Sequence, residues 1–532
     1  MANSNKISFT EKVGYALGDG AANIAWRGVA TFLFVFYTDV FGISPVAVGF
    51  LMLVARFSDG ITDVLMGVIG DRTNTRYGKF RPWILWTAIP LGIVLSLLFT
   101  TPDLSSTGKI IYAYITYILF TLVYTANNIP YGALMAVITG NDRERTVLGS
   151  YRMVGAFAGG MLVQGALLFL VSHFGNVNPE VKVQQISDKQ YHVTIQVHQA
   201  VENANIKTKN GIALFVREPA DSTSLIPAAS VSLQLKPDEA YTFSVSGESG
   251  LSPESFSIID QKKGYSHSIY LMSVFLALFM FITFYTTRER VLPPKGQQTN
   301  LKKDIKDLIR NKPWLVLLLT GLLFNVYNSI KQGIIVIYFT HYLNNQLLAG
   351  SYLVGLMIAS IAGAMITGPL GKKFGKRNLF IYALLFSGAV NSVMVFCGPG
   401  NFYPIFAIGM ISEFASAIFP TLFFAMLGDA ADYSEFRNGR RATGLVYSAG
   451  SFATKFGGGL AGAIIGLMLG AFHYNGQDAS SIPDAIPGIK MLMSWLPALV
   501  ALLAAALMWM YPLTQEKMDE ITHELAERRL QE

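Results

Sequence analysis

Long apolar runs separated by short polar loops set the character of this chain. A membrane-crossing helix needs about 20 apolar residues. The sequence offers twelve such runs, roughly 13–39, 45–70, 82–100, 109–139, 148–172, 267–287, 313–342, 350–371, 378–397, 402–428, 443–471 and 489–512. Several exceed the minimum, which predicts tilted or interrupted helices. Between the fifth and sixth runs, from Gly175 to Gly264, the pattern changes. Apolar and polar residues alternate with period two in Tyr191–Val197, Ile212–Val216, Val231–Leu235 and Tyr241–Val245. Turn residues at Lys209-Asn210-Gly211, Lys236-Pro237-Asp238 and Ser246-Gly247 bound these stretches, and together they predict a small β-sandwich or meander.

Composition supports an integral membrane protein. Of 532 residues 52% are hydrophobic and 14% charged, against about 25% charged in soluble domains. The net charge of +7 does not indicate a nucleic-acid partner, because Lys and Arg sit in short loops between spans. Arg72, Arg76, Lys79 and Arg81 share one loop and Arg143 and Arg145 the next on that side; Lys372, Lys373, Lys376 and Arg377 match them in the second half, followed by Arg437, Arg440 and Arg441. The opposite loops, near Phe41–Ser44, Asn344–Gly350 and Gly398–Asn401, have no Lys or Arg. The expected topology is therefore a multi-pass protein of the cytoplasmic (inner) membrane, embedded in the lipid bilayer, with both termini cytoplasmic and insertion 175–265 extracytoplasmic. The residues before Val13 lack a cleavable leader pattern, so the first span is expected to direct insertion uncleaved. A single cysteine, Cys397, excludes an intrachain disulfide and a thiolate metal cluster.

The expected plan is all-α in the membrane: twelve transmembrane helices in two six-helix halves, with a small β-rich extracytoplasmic insertion. Its parts are 1–174 (helices 1–5), 175–265 (insertion), 266–287 (helix 6), 288–312 (cytoplasmic linker), 313–512 (helices 7–12) and 513–532 (cytoplasmic tail). In the linker, Leu301, Ile305, Leu308 and Ile309 fall on one face of a predicted amphipathic helix. Basic loops recur after the second and eighth spans, and this internal echo matches the major facilitator architecture.

Candidate chemistry begins in the second span. Asp59 and Asp63 lie one turn apart on one face, with Arg56 just upstream. A charge near the bilayer centre costs roughly 2.5–3.5 kcal/mol on insertion scales, so these groups face an internal cavity. Two like charges at that spacing repel unless a cation or proton neutralises them, which is the chemistry of a cation site. Lys455 lies mid-span in the eleventh run beside Gly457-Gly458-Gly459; it is a charge-balancing group or a snorkelling lysine. No nucleophile elbow, phosphate-binding glycine loop or metal-ligand cluster is present, so no enzyme is expected.

Several motifs carry a family resemblance: Ala55–Asp63 (ARFSDGITD), the loop TRYGKFRPW ending at Trp83, Tyr37–Val40, Tyr117–Pro130, Asn141–Arg145, and Asp432–Glu435 followed by Lys455. Together they resemble the glycoside–pentoside–hexuronide cation symporters of the major facilitator superfamily, over all twelve spans and excluding the insertion. The resemblance implies that Asp59 and Asp63 hold the metal or proton, with Na⁺, or H⁺ or Li⁺, as coupling ion and no other cofactor. It implies Thr125 as a cation-site threonine. Thr62 stands where the family pattern has an asparagine ligand; a hydroxyl still suits a hard cation. Lys455 and Arg56 would couple ion to sugar. By the same resemblance, Asn23, Tyr124, Asn128 and Arg152 form the sugar site. Gly132 replaces a stacking tryptophan, which enlarges the pocket. Asp19, in a Gly-Asp motif, reads as structural.

Arg27 departs from the family pattern. Mid-span, its fork suits a carboxylate. With Lys331 and His341 on the seventh span it points to an acidic sugar, a uronate or oligo-uronide; otherwise it pairs with Asp19, Asp59 or Glu413. Arg72, Arg76 and Arg143 with Asp71 and Asp142, and Asp432, Glu435, Arg440 and Arg441, resemble paired cytoplasmic gate networks. The expected function is cation-coupled symport of a glycoside, an oligosaccharide or uronate-containing sugar, by alternating access, in a carrier functional as a monomer. A membrane sugar sensor using the β domain is the alternative. The insertion is either a spacer or a capture domain.

Overall fold

The structure is a computed structural model that describes residues 7–531 except 140–141, 188–189, 209–212, 218–224, 228–232, 247–250, 291–307 and 439–442. Most of the amphipathic linker helix expected around Leu301–Ile309, and Arg440 and Arg441, lie outside the described residues, as do the side chains of Asp71, Asp142 and Arg143.

The first five spans are helices α1 (Phe9–Val35), α2 (Pro45–Arg72), α3 (Arg81–Leu98), α4 (Ser106–Ile138) and α5 (Asp142–Phe174). Serine caps start three of them: Ser8, Ser44 and Ser105 accept from the amides of Glu11, Ala47 and Gly108. Such caps satisfy amides that the helix itself leaves open. The sixth span, α6 (Gln261–Thr286), begins five residues before the expected start at 266, because Asp260 caps it through the Lys263 amide. The second half supplies α7 (Lys312–Ile337), α8 (Gln346–Phe374), α9 (Lys376–Ser392), α10 (Phe402–Ser416), α11 (Ile418–Asn438), α12 (Thr443–Ala471), α13 (Ile482–Met493), α14 (Trp495–Trp509) and the tail helix α15 (Gln515–Gln531). The tenth span is thus α10 plus α11 and the twelfth α13 plus α14, both interrupted. Spans one and seven both end in a π-helical turn, Phe36–Val40 and Tyr338–Tyr342.

Among the described residues ten helical stretches are long and apolar enough to cross a membrane. The two long helices outside that set, α1 and α2, are the ones that carry Asp19, Arg27, Arg56, Asp59 and Asp63.

The insertion is a sandwich of antiparallel strands. One sheet runs β1 (Asn176–Val177), β9 (Phe256–Asp260), β4 (Val201–Thr208), β7 (Leu233–Leu235); the other runs β2 (Glu180–Ser187), β3 (Gln190–Gln196), β8 (Ala240–Ser246), β5 (Ala213–Arg217), β6 (Leu225–Pro227). Alternation in β3 sends Tyr191, Val193 and Ile195 into a core with Ile206, Phe243 and Ile258. The four predicted strands match β3, β5, β7 and β8. The alternation reading missed β1, β2, β4, β6 and β9; in β2 Val181 and Val183 pack against the core only partly buried, and the rest of the strand is exposed.

The chain divides into two compact units: the first is Met1–Pro293, Ile335–Leu353 and Gly466–Ile489, the second Pro294–Ile334, Val354–Ile465 and Lys490–Glu532. In the first unit α1 packs along α5 and α6, α3 on α4 and α6, and α2 on α4. The approach of α5 to α1 is close: a Cβ on Gly155 or Gly159 would collide with the carbonyl of Ala16 or Gly20. Small residues allow such backbone contact between membrane helices. Away from the insertion, Glu289 accepts the amides of Lys79, Phe80 and Arg81 at 2.8–2.9 Å and so closes the start of α3. Buried Glu11 takes both Arg290 nitrogens at 2.8 Å. In the second unit α9 packs on α10 and α14.

Candidate functional site

The first unit gathers most candidate residues on facing turns of α1, α2, α4 and α5. On α2, Arg56 Nη1 donates to Asp59 Oδ2 at 2.7 Å, and Nη2 donates to the Tyr117 hydroxyl of α4 at 2.7 Å. Asp59 and Arg56 are both buried. The charge of Asp59 is therefore met by a neighbour on its own helix. The spacing argument had assigned its neutralisation to a bound cation; an i,i+3 arginine performs it here. One turn on, Asp63 Oδ1 accepts from the Thr125 hydroxyl of α4 at 3.1 Å. Thr62, half-buried, donates its hydroxyl to the backbone carbonyls of Ser58 and Asp59 at 3.0 and 3.2 Å. Its proton is committed to the helix, and the oxygen lone pairs remain its only means of ligation.

A carboxylate beside a hydroxyl oxygen, as at Asp63 and Thr125, is a hard-oxygen pair of the kind small cations take. Among the described residues no group of three or more His, Cys, Asp or Glu is assembled for a multivalent metal.

Trp26 of α1 links this set to the helix faces beside it. The Arg56 guanidinium lies 4.6 Å from the Trp26 ring centroid, and Tyr124 of α4 also stacks with that ring, at 5.4 Å and 30°. Tyr124 in turn stacks on Phe120 at 5.8 Å. Asn128, one turn beyond Tyr124, is half-buried on α4. On α1, Asn23 donates its amide to the Asp19 carbonyl at 2.9 Å, and Arg27 is half-buried one turn later. Asp19 Oδ1 pairs with Arg152 Nε of α5 at 3.3 Å. Arg152 also lies 5.5 Å from the ring of Tyr131, which stacks on Tyr15 at 4.8 Å and donates its hydroxyl to the Tyr15 carbonyl at 2.6 Å. Gly155, one turn from Arg152, makes the α1–α5 approach that brings this pair together.

Two groups counted toward an acidic-sugar cavity are engaged elsewhere. Lys331 is buried in the second unit and donates to Tyr327, Ser412 and Glu413 at 3.1, 3.1 and 3.3 Å, while Glu413 also accepts from Ser360 at 2.9 Å. A buried lysine is stable only with such a partner set. His341, also buried, meets Asp39 Oδ2 through Nε2 at 2.8 Å. Asp39 Oδ1 accepts from Tyr474 at 2.7 Å and from Thr38 at 2.6 Å. These residues close the ends of α1, α7 and α12 within the first unit. Lys455 lies half-buried on α12, in the second unit.

Sequence reasoning missed Trp26, Tyr117, Tyr131 and Tyr474. The first three sit three to seven positions from site residues on α1 and α4, so helical spacing held the signal; Tyr474 lies in the loop after α12 and left none.

A family model described as MFS/sugar transport protein matches residues 14–198 and 244–515. The gap between them falls within the β insertion. The putative glycoside/cation symporter YagG of Escherichia coli K12 is 29% identical over 98% of this chain and 96% of its own length. The inner membrane symporter YicJ of the same organism is 31% identical over 99% of this chain and 98% of its own. Among solved structures, a bacterial homolog of the human lysosomal transporter Spinster, in an inward-facing and unoccupied conformation, aligns with a TM-score of 0.62 over 94% of this chain and 96% of its own at 13% identity, a likeness of fold.

Proposed function

The chain belongs to the MFS/sugar transport protein family, a family of transporters and not of enzymes, and on that premise we propose that it carries a glycoside together with a monovalent cation across the cytoplasmic membrane. Asp59 and Asp63 hold the ion, with the Thr125 and Thr62 oxygens as further donors. Asn23, Tyr124, Asn128, Arg152 and Arg27 form the sugar side. Both termini are cytoplasmic, the insertion is extracytoplasmic, and a monomer suffices. The two six-helix halves alternate access to the loaded site, and Lys455 is a coupling group.

The observation that carries this reading is the position of Trp26, in contact with Arg56 on one hand and Tyr124 on the other. A cation arriving at Asp59 competes with Arg56 for the same oxygen. The guanidinium then shifts against the indole, and the indole against Tyr124. Ion occupancy and the shape of the sugar face are thereby one mechanical system. In a low-dielectric setting the Arg56–Asp59 attraction is strong, so the exchange requires an ion of comparable affinity, Na⁺ or H⁺.

The guanidinium fork of Arg27 suits a carboxylate-bearing sugar, while Lys331 and His341 serve other partners. The test is uptake into vesicles of a panel of neutral and acidic saccharides, with sodium and proton gradients imposed separately. Accumulation driven by either gradient is expected, with acidic sugars losing more than neutral ones in Arg27→Gln. Equal downhill movement under every gradient would refute coupling, and an equal loss for both sugar types would refute the carboxylate reading.

A further inference from the structure

We infer that the cavity between the β-sandwich and the membrane helices beneath it is a binding site for a carboxylate-bearing saccharide, separate from the site on α1, α2, α4 and α5. The cavity measures about 330 Å³ and its lining includes Phe41, Asp103, Lys109, Lys236, Lys262 and Gln477. That volume falls within the range of about 300–1,000 Å³ for small-molecule sites. Three lysines against one aspartate give the lining a positive balance.

The lysines come from three different elements. Lys109 lies in the first turn of α4, Lys262 is the second residue of α6, and Lys236 follows β7. Two helix N-termini, each with roughly half a positive charge from the aligned peptide dipoles, therefore border the same cavity as the three amino groups. Their nearest caps are Ser105 for α4 and Asp260 for α6, and the Asp260 carboxylate moderates the field at α6 without lining the space. The floor is fixed: the Lys109 amino group donates to the Phe41 carbonyl at 3.0 Å, and the Gln477 amide donates to the Val40 carbonyl at 3.4 Å. A floor held this way presents ammonium charge at a defined height, beside a side-chain amide that pairs with hydroxyls. An anion with hydroxyls, a sugar acid, matches both.

The wall supplied by Ala200, Val201 and Gln234–Lys236 belongs to the stretch that the family model leaves unmatched, residues 199–243. One wall of the site, with Lys236, is thus what this chain adds to the family pattern, while Lys109 and Lys262 lie in the matched stretches. The saccharide part of the inference rests on the transport reading; the anion part stands on the lysines and helix ends.

The test uses full-length protein in phosphatidylcholine nanodiscs and two photoprobes, p-azidophenyl β-D-glucuronide and its neutral glucoside twin. The glucuronide is expected to label peptides containing Val201 or Gln234–Lys236 about tenfold more than the glucoside, the weight of one charge-assisted contact. Lys236→Gln with Lys262→Gln should remove that labelling at unchanged protein yield and thermal stability. Equal labelling by both probes, or labelling indifferent to the double variant, would overturn the inference. So would loss of glucuronide labelling on exchange of the lipid for phosphatidylglycerol, which would assign the cavity to a lipid headgroup. Labelling is read without transport, so a carrier that fails to accumulate sugar would still report on this site.

Discussion

Arg56 and Asp59, three residues apart on α2, meet at 2.7 Å with 8% and 5% of their side chains exposed. The pair is intrahelical, so it forms as soon as α2 does and needs no partner helix to neutralise it. Tyr117 adds a third member from α4. Removal of one member of such a buried pair costs about 3–5 kcal/mol, because the other is left uncompensated. Arg56→Gln should therefore lower the thermal unfolding midpoint of purified protein markedly, while Arg56→Gln with Asp59→Asn should recover most of it. A double variant no more stable than the single would contradict the pairing.

The contact of α5 with α1 sets the Asp19–Arg152 pair. Gly155 touches the backbone of Ala16, whereas Gly149, on the same helix, has open space where a Cβ would go. Gly155→Ala is expected to push the helices apart, lengthen the Asp19–Arg152 pair and abolish sugar uptake; Gly149→Ala should transport as the parent does. Radiolabelled uptake normalised to membrane-inserted protein checks both, and equal activity would show that the close approach is not needed.

At the ends of α1, α7 and α12, Asp39 accepts hydrogen bonds from Thr38 and Tyr474 and contacts His341. Loss of one donor to a buried carboxylate costs about 1–3 kcal/mol. Tyr474→Phe keeps the ring and removes the donor, so a lower unfolding midpoint and slower uptake are expected. A variant unchanged in both would remove any role for this cluster.

Much of this was legible in the sequence for physical reasons. Twelve apolar runs each had to become a helix, since at about 20 residues they are too long for barrel strands and lipid demands that the backbone be satisfied internally. The alternation at Tyr191–Val197 could only be a strand with one buried face. The Asp59–Asp63 spacing likewise placed both carboxylates on one side of α2. What was not legible depends on tertiary approach. Lys331 and His341 read as free cations on a span, but their partners Glu413 and Asp39 stand 82 and 302 positions away. Asp19 read as structural in isolation; only the Gly155 contact brings Arg152 to it. Arg56 was placed beside the aspartates, yet the choice of Asp59 as its partner was set by side-chain reach along the helix.

Gly132 of α4 has nothing within 4 Å of the place its Cβ would occupy. The resemblance places a stacking tryptophan there, whose absence is expected to leave more room for sugar. Gly132→Trp is therefore expected to fold normally, helped by roughly 0.5 kcal/mol of helix propensity, and to favour monosaccharides over longer sugars in competition for uptake. An unchanged preference would show that this position does not line the sugar path.

The central claim is that ion and sugar are held by one coupled site. Binding titrations of the best saccharide to purified protein, with and without the coupling cation, test it most directly. Linkage requires each ligand to raise the affinity of the other by the same factor, typically about 5–150-fold. The account predicts that enhancement in the parent protein and its loss in Asp63→Asn, with residual sugar binding at the cation-free level. Sugar affinity indifferent to sodium and to protons in the parent, or an enhancement that survives Asp63→Asn, would contradict it.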